Sequence, residues 1–182
     1  MEEDKQLVKE FLDGNDYSFE KLLGKYLKPV FNFIYQMAGD FTVSEDLVQE
    51  AFIKAWKNIK KFDLNRSFKT WIFTIAKNTA YDYFKKKKTI PFSNFIDEEG
   101  NNRLENMSDG NILPDEILER KNIAEELGKK INEVPQHYRI ILLLRYKEDL
   151  SLQEISEILE KPYNTIKSGH ARALKNLKKL IS

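Results

Sequence analysis

The sequence predicts an all-α protein of two small helical domains, joined by an acidic flexible linker, with a helix-turn-helix in the second domain. Apolar residues recur at the three- and four-residue spacing of a helix face, and no stretch alternates with period two over the length of a strand. Nineteen of the 22 aromatic residues lie between Phe11 and Phe95, so the front half would have an aromatic core and the back half an aliphatic one. We therefore predict domains at residues 1–90 and 115–182, and a linker at 91–114, where apolar residues are few.

The composition excludes several classes of chemistry. The 182 residues include no cysteine, which rules out disulfides, thiolate metal sites and a cysteine nucleophile. The sequence has no phosphate-binding glycine loop and no HExxH metal motif, so we expect no enzyme activity, no metal and no cofactor. The acidic start has no apolar stretch behind it, and the longest aliphatic run, Ile140–Leu144, is far shorter than the roughly 20 apolar residues of a membrane span. A cytoplasmic location is expected.

The formal net charge of +1 conceals two cationic segments. Residues 66–88 carry seven basic side chains against Asp82 alone, and residues 161–179 carry six against no acid. Between them, residues 89–119 hold eight acids and one basic residue, Arg103. One lysine-rich helix end is most often a solvated surface. Two such segments on two helical units instead favour a surface for nucleic acid.

Three amphipathic helices are predicted in the first domain. The first ends at Gly39-Asp40 and has the apolar stripe Leu23, Tyr26, Leu27, Val30, Ile34 and Met37. The second has Ser44 as its N-cap and the stripe Val48, Ala51, Phe52, Ala55, Trp56 and Ile59, which assigns Trp56 to the core. The third lies between a loop at residues 63–67 and the lysine run at 85–88, and has the stripe Ile72, Ile75, Ala76, Thr79 and Tyr83.

The second domain is predicted to contain two helices and then a helix-turn-helix. Pro114 would open the first helix, which runs towards Val134-Pro135, and another would begin near Gln136. Ser151 and Glu154 have the spacing of a capping box, in which the two side chains satisfy two orphan backbone N–H groups. Pro162 suits the first turn of the longer basic helix, whose buried side would contain Ile166, Ala173, Leu174, Leu177 and Ile181. This succession is typical of a helix-turn-helix, although the glycine often found in the turn is missing.

Several segments match the motifs of one known family. They are residues 45–56 (EDLVQEAFIKAW), residues 68–78 (FKTWIFTIAKN) with Asp82 and Tyr83, and residues 134–135 (VP), 142–146 (LLLRY) and 150–155 (LSLQEI). In order, they resemble the polymerase-clamp-binding helix, the promoter-melting and minus-ten segment, and the minus-thirty-five domain of the extracytoplasmic-function (ECF) sigma factors of bacterial RNA polymerase. The resemblance covers roughly residues 18–88 and 115–180.

This resemblance implies a function and a set of partners. The protein would bind core RNA polymerase at its clamp and flap regions and direct promoter recognition, DNA strand opening and transcription initiation. The family is usually held inactive by an anti-sigma factor, which would be a further partner. No small-molecule substrate is implied.

The resemblance also assigns site residues in the first domain. For polymerase binding they are Asp46, Gln49, Glu50 and Lys54. For the minus-ten element they are Asn65, Arg66, Ser67, Phe68, Lys69, Trp71, Lys77 and Asn78. Asn65 and Ser67 would offer donors and acceptors to a flipped base, whereas Arg66 and Lys69 would pair with phosphates. For Phe68 and Trp71, base stacking and core packing both remain open.

In the second domain, the resemblance points to the recognition helix. The minus-thirty-five candidates are Tyr163, Asn164, Thr165, Lys167, Ser168 and Arg172. Many family members have Lys-Ser-Arg-Leu-His-Arg-Ala here, whereas this chain has Gly169 in place of the arginine and His170 in place of the leucine. The missing arginine predicts the loss of a base or phosphate contact, and glycine inside a helix costs about 1 kcal/mol relative to alanine. We expect His170 to be packed and hydrogen-bonded on the inward side of the helix.

Three other functions are alternatives. A helix-turn-helix repressor or activator would explain the back half and leave the front half for dimerisation or ligand binding. An enzyme is less favoured because no pair of acids stands out, and a structural adaptor is the third alternative. A repressor would bind duplex DNA alone, as a dimer and without melting it, whereas a sigma factor opens DNA only together with core polymerase.

Overall fold

All regular elements in the described residues are helical, which confirms the predicted fold class. The computed structural model describes residues 2–87, here called the first module, and residues 133–181, the second module. The predicted linker and the helix predicted after Pro114 lie outside the described residues. The helices are α1 (Glu2–Leu12), α2 (Asp16–Ala38), α3 (Phe41–Asn58), α4 (Phe68–Lys86), α5 (Gln136–Leu142), α6 (Leu152–Leu159) and α7 (Tyr163–Ile181). Within the described ranges, no helix combines the length and apolar character that a membrane span requires.

The helix ends of the first module follow local side-chain chemistry. Gly39 ends α2 in the left-handed conformation with φ 68°, as predicted. The N-cap of α3 is Asp40, whose carboxylate accepts a hydrogen bond from the backbone N–H of Val43 at 2.9 Å. The prediction of Ser44 as N-cap was wrong, because the Asp40 carboxylate already caps the helix and Ser44 lies buried within its first turn.

The core of the first module is formed mainly by one face from each of α2, α3 and α4, to which Leu7 and Val8 of α1 add. Its fully buried members include Val30, Phe33 and Ile34 of α2, Ala51 and Ala55 of α3, and Ile72, Phe73, Ala76 and Ala80 of α4. Two predicted core residues were wrong: Trp56 is 54% exposed and Leu27 is 45% exposed. Both lie at the edge of a correctly predicted stripe. Helical spacing therefore located the stripes but did not fix their width.

The second module contains the predicted helix-turn-helix. The capping box at Ser151 and Glu154 is confirmed by both of its hydrogen bonds. The turn after α6 is made by Glu160, which adopts the left-handed conformation at φ 52° and ψ 42° where a glycine would be usual. Pro162 lies just before α7, and its carbonyl accepts a hydrogen bond from Ile166, so it caps the helix instead of forming its first turn. Leu174, predicted on the buried side of α7, is 40% exposed.

The two modules pack against each other. Helix α4 contacts α6, and α2 contacts α5, where the Gln136 amide donates to the carbonyl of Met37 at 3.1 Å. Buried residues of both modules, among them Phe73 and Ile155, belong to one hydrophobic cluster. The two predicted helical units are therefore present, but their cores are continuous and each covers part of the other's surface.

Candidate nucleic-acid interface

The loop before α4 is held by its own hydrogen bonds. The Asp63 carboxylate accepts from the backbone N–H of Asn65 at 2.9 Å, and the Asp63 carbonyl accepts from that of Arg66 at 2.9 Å. Ser67 is the N-cap of α4, and its hydroxyl accepts from the N–H of Thr70 at 3.3 Å. The backbone is thus fixed by short-range chemistry, whereas the side chains of Asn65 and Arg66 are exposed. This arrangement presents an amide and a guanidinium on a rigid turn.

The aromatic residues of this region belong mainly to the core. Phe68 is 2% exposed, and its ring lies 5.4 Å from Tyr26 and 5.5 Å from Trp71, centroid to centroid. Burial, and then the Asp4 carboxylate, raise the pKa of Tyr26 well above its usual range, so its hydroxyl stays protonated and donates to Asp4 at 2.7 Å. In this structure Phe68 packs in the core, while Trp71 is half-buried at the edge of the same cluster.

Two of the predicted DNA-binding lysines are covered by the second module. The Lys69 ammonium lies 3.1 Å from the Glu148 carboxylate and also donates to the Glu148 backbone carbonyl. The Lys77 ammonium lies 2.8 Å from the Glu160 carboxylate, and its side chain is only 3% exposed. Burial, and then the negative charge of Glu160, raise the pKa of Tyr81 to about 12, so this neighbouring hydroxyl is neutral at pH 7.

One face of α3 is exposed along its length. Asp46, Gln49 and Glu50 lie on it, but Lys54 turns towards α4, where its ammonium lies 3.3 Å from the Thr79 hydroxyl. The face also exposes two apolar side chains that the sequence analysis did not select, Ile53 at 52% and Trp56 at 54%. Their helical spacing from Gln49, at four and seven residues, was the signal that could have found them.

The recognition helix α7 is open to solvent on its outer face. Tyr163, Asn164, Lys167, Ser168 and Arg172 are exposed, and Thr165 is half-buried. The Ser168 hydroxyl donates to the carbonyl of Asn164 at 2.9 Å, so it is engaged within its own helix. Lys175 lies two turns beyond Lys167 on the same side and is also exposed, although it was not among the residues predicted from the sequence.

The structure corrects the interpretation of Gly169. A Cβ at this position would lie 2.9 Å from the Ile141 Cδ1 atom, so Gly169 faces α5 and the interior of the second module. The predicted loss of a DNA contact therefore does not follow in this chain, because the position is buried. His170 is hydrogen-bonded as expected, with its Nε2 atom 3.0 Å from the Tyr146 hydroxyl. Burial, and then Arg145, lower the pKa of His170, so the ring is neutral at pH 7.

We expect Gly169→Arg, which restores the residue common in the family, to destabilise the second module. Overpacking against Ile141 costs about 1–3 kcal/mol, and the better helix propensity of arginine returns only about 1 kcal/mol. Urea unfolding of the full chain measures the difference. In the Ile141→Val background the same substitution should cost less, since the colliding Cδ1 methyl is gone. A Gly169→Arg protein as stable as the parent in both backgrounds would contradict the close packing.

Comparisons with known proteins match both modules to one family. The model of Sigma-70 region 2 matches residues 22–90, and that of Sigma-70, region 4 matches residues 124–177. The chain is 32% identical over 179 residues to the ECF RNA polymerase sigma factor SigW of Bacillus subtilis (strain 168), covering 97% of this chain and 96% of that protein. It is 30% identical over 177 residues to the ECF RNA polymerase sigma-E factor of Escherichia coli (strain K12), covering 93% and 90%.

A solved structure has the same fold. The sigma factor RpoE from Bartonella quintana, in complex with the anti-sigma factor NepR, matches with a TM-score of 0.67 and 23% identity over 90% of this chain and 96% of that one. Together these matches define a sigma-70-type transcription initiation factor with a region 2 and a region 4. More narrowly, the chain belongs to the ECF family of RNA polymerase sigma factors. It binds core RNA polymerase and directs promoter recognition, strand opening and transcription initiation, which excludes the repressor alternative.

Proposed function

We propose that this sigma factor uses three separate surfaces, one for core polymerase and one for each promoter element. Domain 1–90 binds core polymerase and acts at the minus-ten element, domain 115–182 contacts the minus-thirty-five element, and residues 91–114 link them. The observation that carries this proposal is the separation of the exposed candidates: Asn65 and Arg66 lie on the first module and the open face of α7 lies on the second. The protein acts in the cytoplasm by binding and makes no covalent bond.

At the minus-ten element, the rigid turn before α4 meets an unpaired base. Extruding a base costs a few kcal/mol, which contacts available only to the extruded base must offset. The Asn65 amide offers both a donor and an acceptor to a base edge, and Arg66 pairs with phosphate. Ser67 and Phe68 support the turn as helix cap and core residue, while Lys69, Trp71, Lys77 and Asn78 extend the surface along α4.

At the minus-thirty-five element, α7 enters the major groove. Asn164 and Lys167 lie near its N-terminus, where recognition helices contact base edges, and Lys175 adds a phosphate contact further along. Among the described residues no carboxylate pairs with Lys167, Arg172 or Lys175. These cations are therefore available to DNA.

The polymerase surface is the exposed face of α3. Asp46, Gln49 and Glu50 supply polar contacts to the clamp, and Ile53 with Trp56 supplies apolar area. The second module would contact the flap region. An anti-sigma factor is a further proposed partner, because the sigma factor RpoE was solved in complex with the anti-sigma factor NepR.

The test is strand opening on a promoter pool with purified core polymerase, followed by fluorescence of an unpaired-base probe. We expect opening only when the chain and core enzyme are both present, with strong salt dependence. Lys167→Ala should weaken opening on duplex promoters several-fold, because a major-groove contact is lost, but leave a pre-melted template unaffected. An equal defect on both templates would move Lys167 out of the upstream site, and opening without core enzyme would overturn the proposal.

A further inference from the structure

The second module covers the minus-ten side of α4 with carboxylates. Glu148 is 5% exposed and pairs with Lys69, and Glu160 pairs with Lys77. Between these pairs, the Thr70 hydroxyl donates to Glu154 at 3.3 Å. The three glutamates come from separate places in the second module, before, within and after α6. They meet the side of α4 on which the proposed phosphate-binding cations lie.

Glu160 combines a left-handed backbone with an ion pair to the first module. A left-handed φ of 52° is unfavourable for a residue with a Cβ, and glycine would adopt it freely. Such strain persists where the surrounding structure compensates for it. Here the Glu160 carboxylate neutralises Lys77, a lysine that is almost completely buried.

Asp149 offers an internal comparison. It has the same φ of 52° and is also not a glycine. Its side chain is exposed, however, and no ion pair joins it to the first module within the described residues. The two positions therefore share the backbone cost but differ in their contact with α4.

We propose that Glu148, Glu154 and Glu160 form a glutamate latch that holds the second module over α4 and masks the α4 cations of the minus-ten surface, Lys69 and Lys77, in the free sigma factor. The carboxylates bind the ammonium groups that Lys69 and Lys77 would otherwise offer to DNA phosphates. The closed chain and promoter DNA therefore compete for the same cations. The two ion pairs and the hydrogen bond to α4 support the latch directly. Its consequence for DNA binding rests on the proposed minus-ten function.

Energy transfer between two dyes measures the latch without DNA or polymerase. The chain has no native cysteine, so Glu20→Cys on α2 and Lys179→Cys on α7, both exposed, give unique labelling sites. Glu160→Gly should raise the open population about tenfold, because Lys77 loses the partner that keeps it buried. Asp149→Gly, the matched control, relieves the same strain and should leave the transfer unchanged. Glu160→Gly is not expected to misfold, since glycine favours this turn.

A charge swap tests the pair directly. Glu160→Lys should open the chain, and Lys77→Glu in the same chain should close it again by restoring opposite charges. Unchanged energy transfer in Glu160→Gly and Glu160→Lys would overturn the latch, whatever happens on DNA.

Strand opening with core polymerase then tests the masking. Glu160→Gly should open promoter DNA several-fold faster than the parent and the Asp149→Gly control. If the dyes separate but the opening rate stays the same, the latch exists and the masking of the minus-ten surface is overturned.

Discussion

Replacing Ile53 and Trp56 with alanine is expected to abolish co-purification with core RNA polymerase while leaving the free protein folded. Both side chains are more than half exposed, so truncation removes little packing from the chain itself. In a complex, a buried tryptophan is often one of the few residues that supply most of the binding energy, with losses of about 2–4 kcal/mol on truncation. A combined loss of that size lowers affinity at least about thirtyfold. The dissociation constant for core RNA polymerase, measured with the labelled chain, tests this expectation.

The control for this pair is Tyr17→Ala. Tyr17 is 60% exposed, so its truncation also removes a large exposed ring, but it belongs to α2 and not to the α3 face. Polymerase binding should survive it. Gln49→Lys with Glu50→Lys should reproduce the defect of the apolar pair by placing two cations on the same face. Normal binding by the Ile53 and Trp56 variant would show that the clamp contacts a different surface.

The fold was largely predictable because its determinants are local. Three- and four-residue spacing located α2, α3 and α4, Gly39 ended α2, and the Ser151 capping box began α6. Local patterns did not determine which residues at the edge of each apolar stripe are buried. Trp56 is as apolar as its buried neighbours, and only the packing of α3 against α2 and α4 decides that it faces solvent.

The candidate site residues remain predictions from the resemblance, and the sequence did not indicate the environment of each one. Resemblance supplied the candidates, and the structure separates them by environment: Asn65 is exposed, Phe68 is in the core, and Lys77 is covered. The pairing of Lys77 with Glu160 joins two residues far apart in the sequence. No periodicity encodes such a contact, because it depends on how the two modules dock.

Asn65→Ala with Arg66→Ala should reduce promoter opening roughly tenfold to a hundredfold while changing core polymerase affinity less than twofold. Neither side chain contributes to the core, and the hydrogen bonds that fix the turn use Asp63 and backbone N–H groups, which alanine retains. The loss therefore falls on contacts with the opened strand, each worth about 1–3 kcal/mol where a base edge is bonded. Stopped-flow fluorescence of a promoter with an unpaired-base probe measures opening, and a binding titration measures core affinity.

The two single variants should change different properties of DNA binding. Arg66→Ala removes a phosphate contact, so the slope of log affinity against log salt should fall by nearly one unit, with little change in sequence preference. Asn65→Ala should leave that slope unchanged and reduce discrimination at one promoter position. Asn15→Ala with Lys21→Ala removes an exposed amide and an exposed cation near the start of α2 and should affect neither measurement. An equal loss of opening and of polymerase affinity in the double variant would place the turn before α4 in the polymerase contact instead.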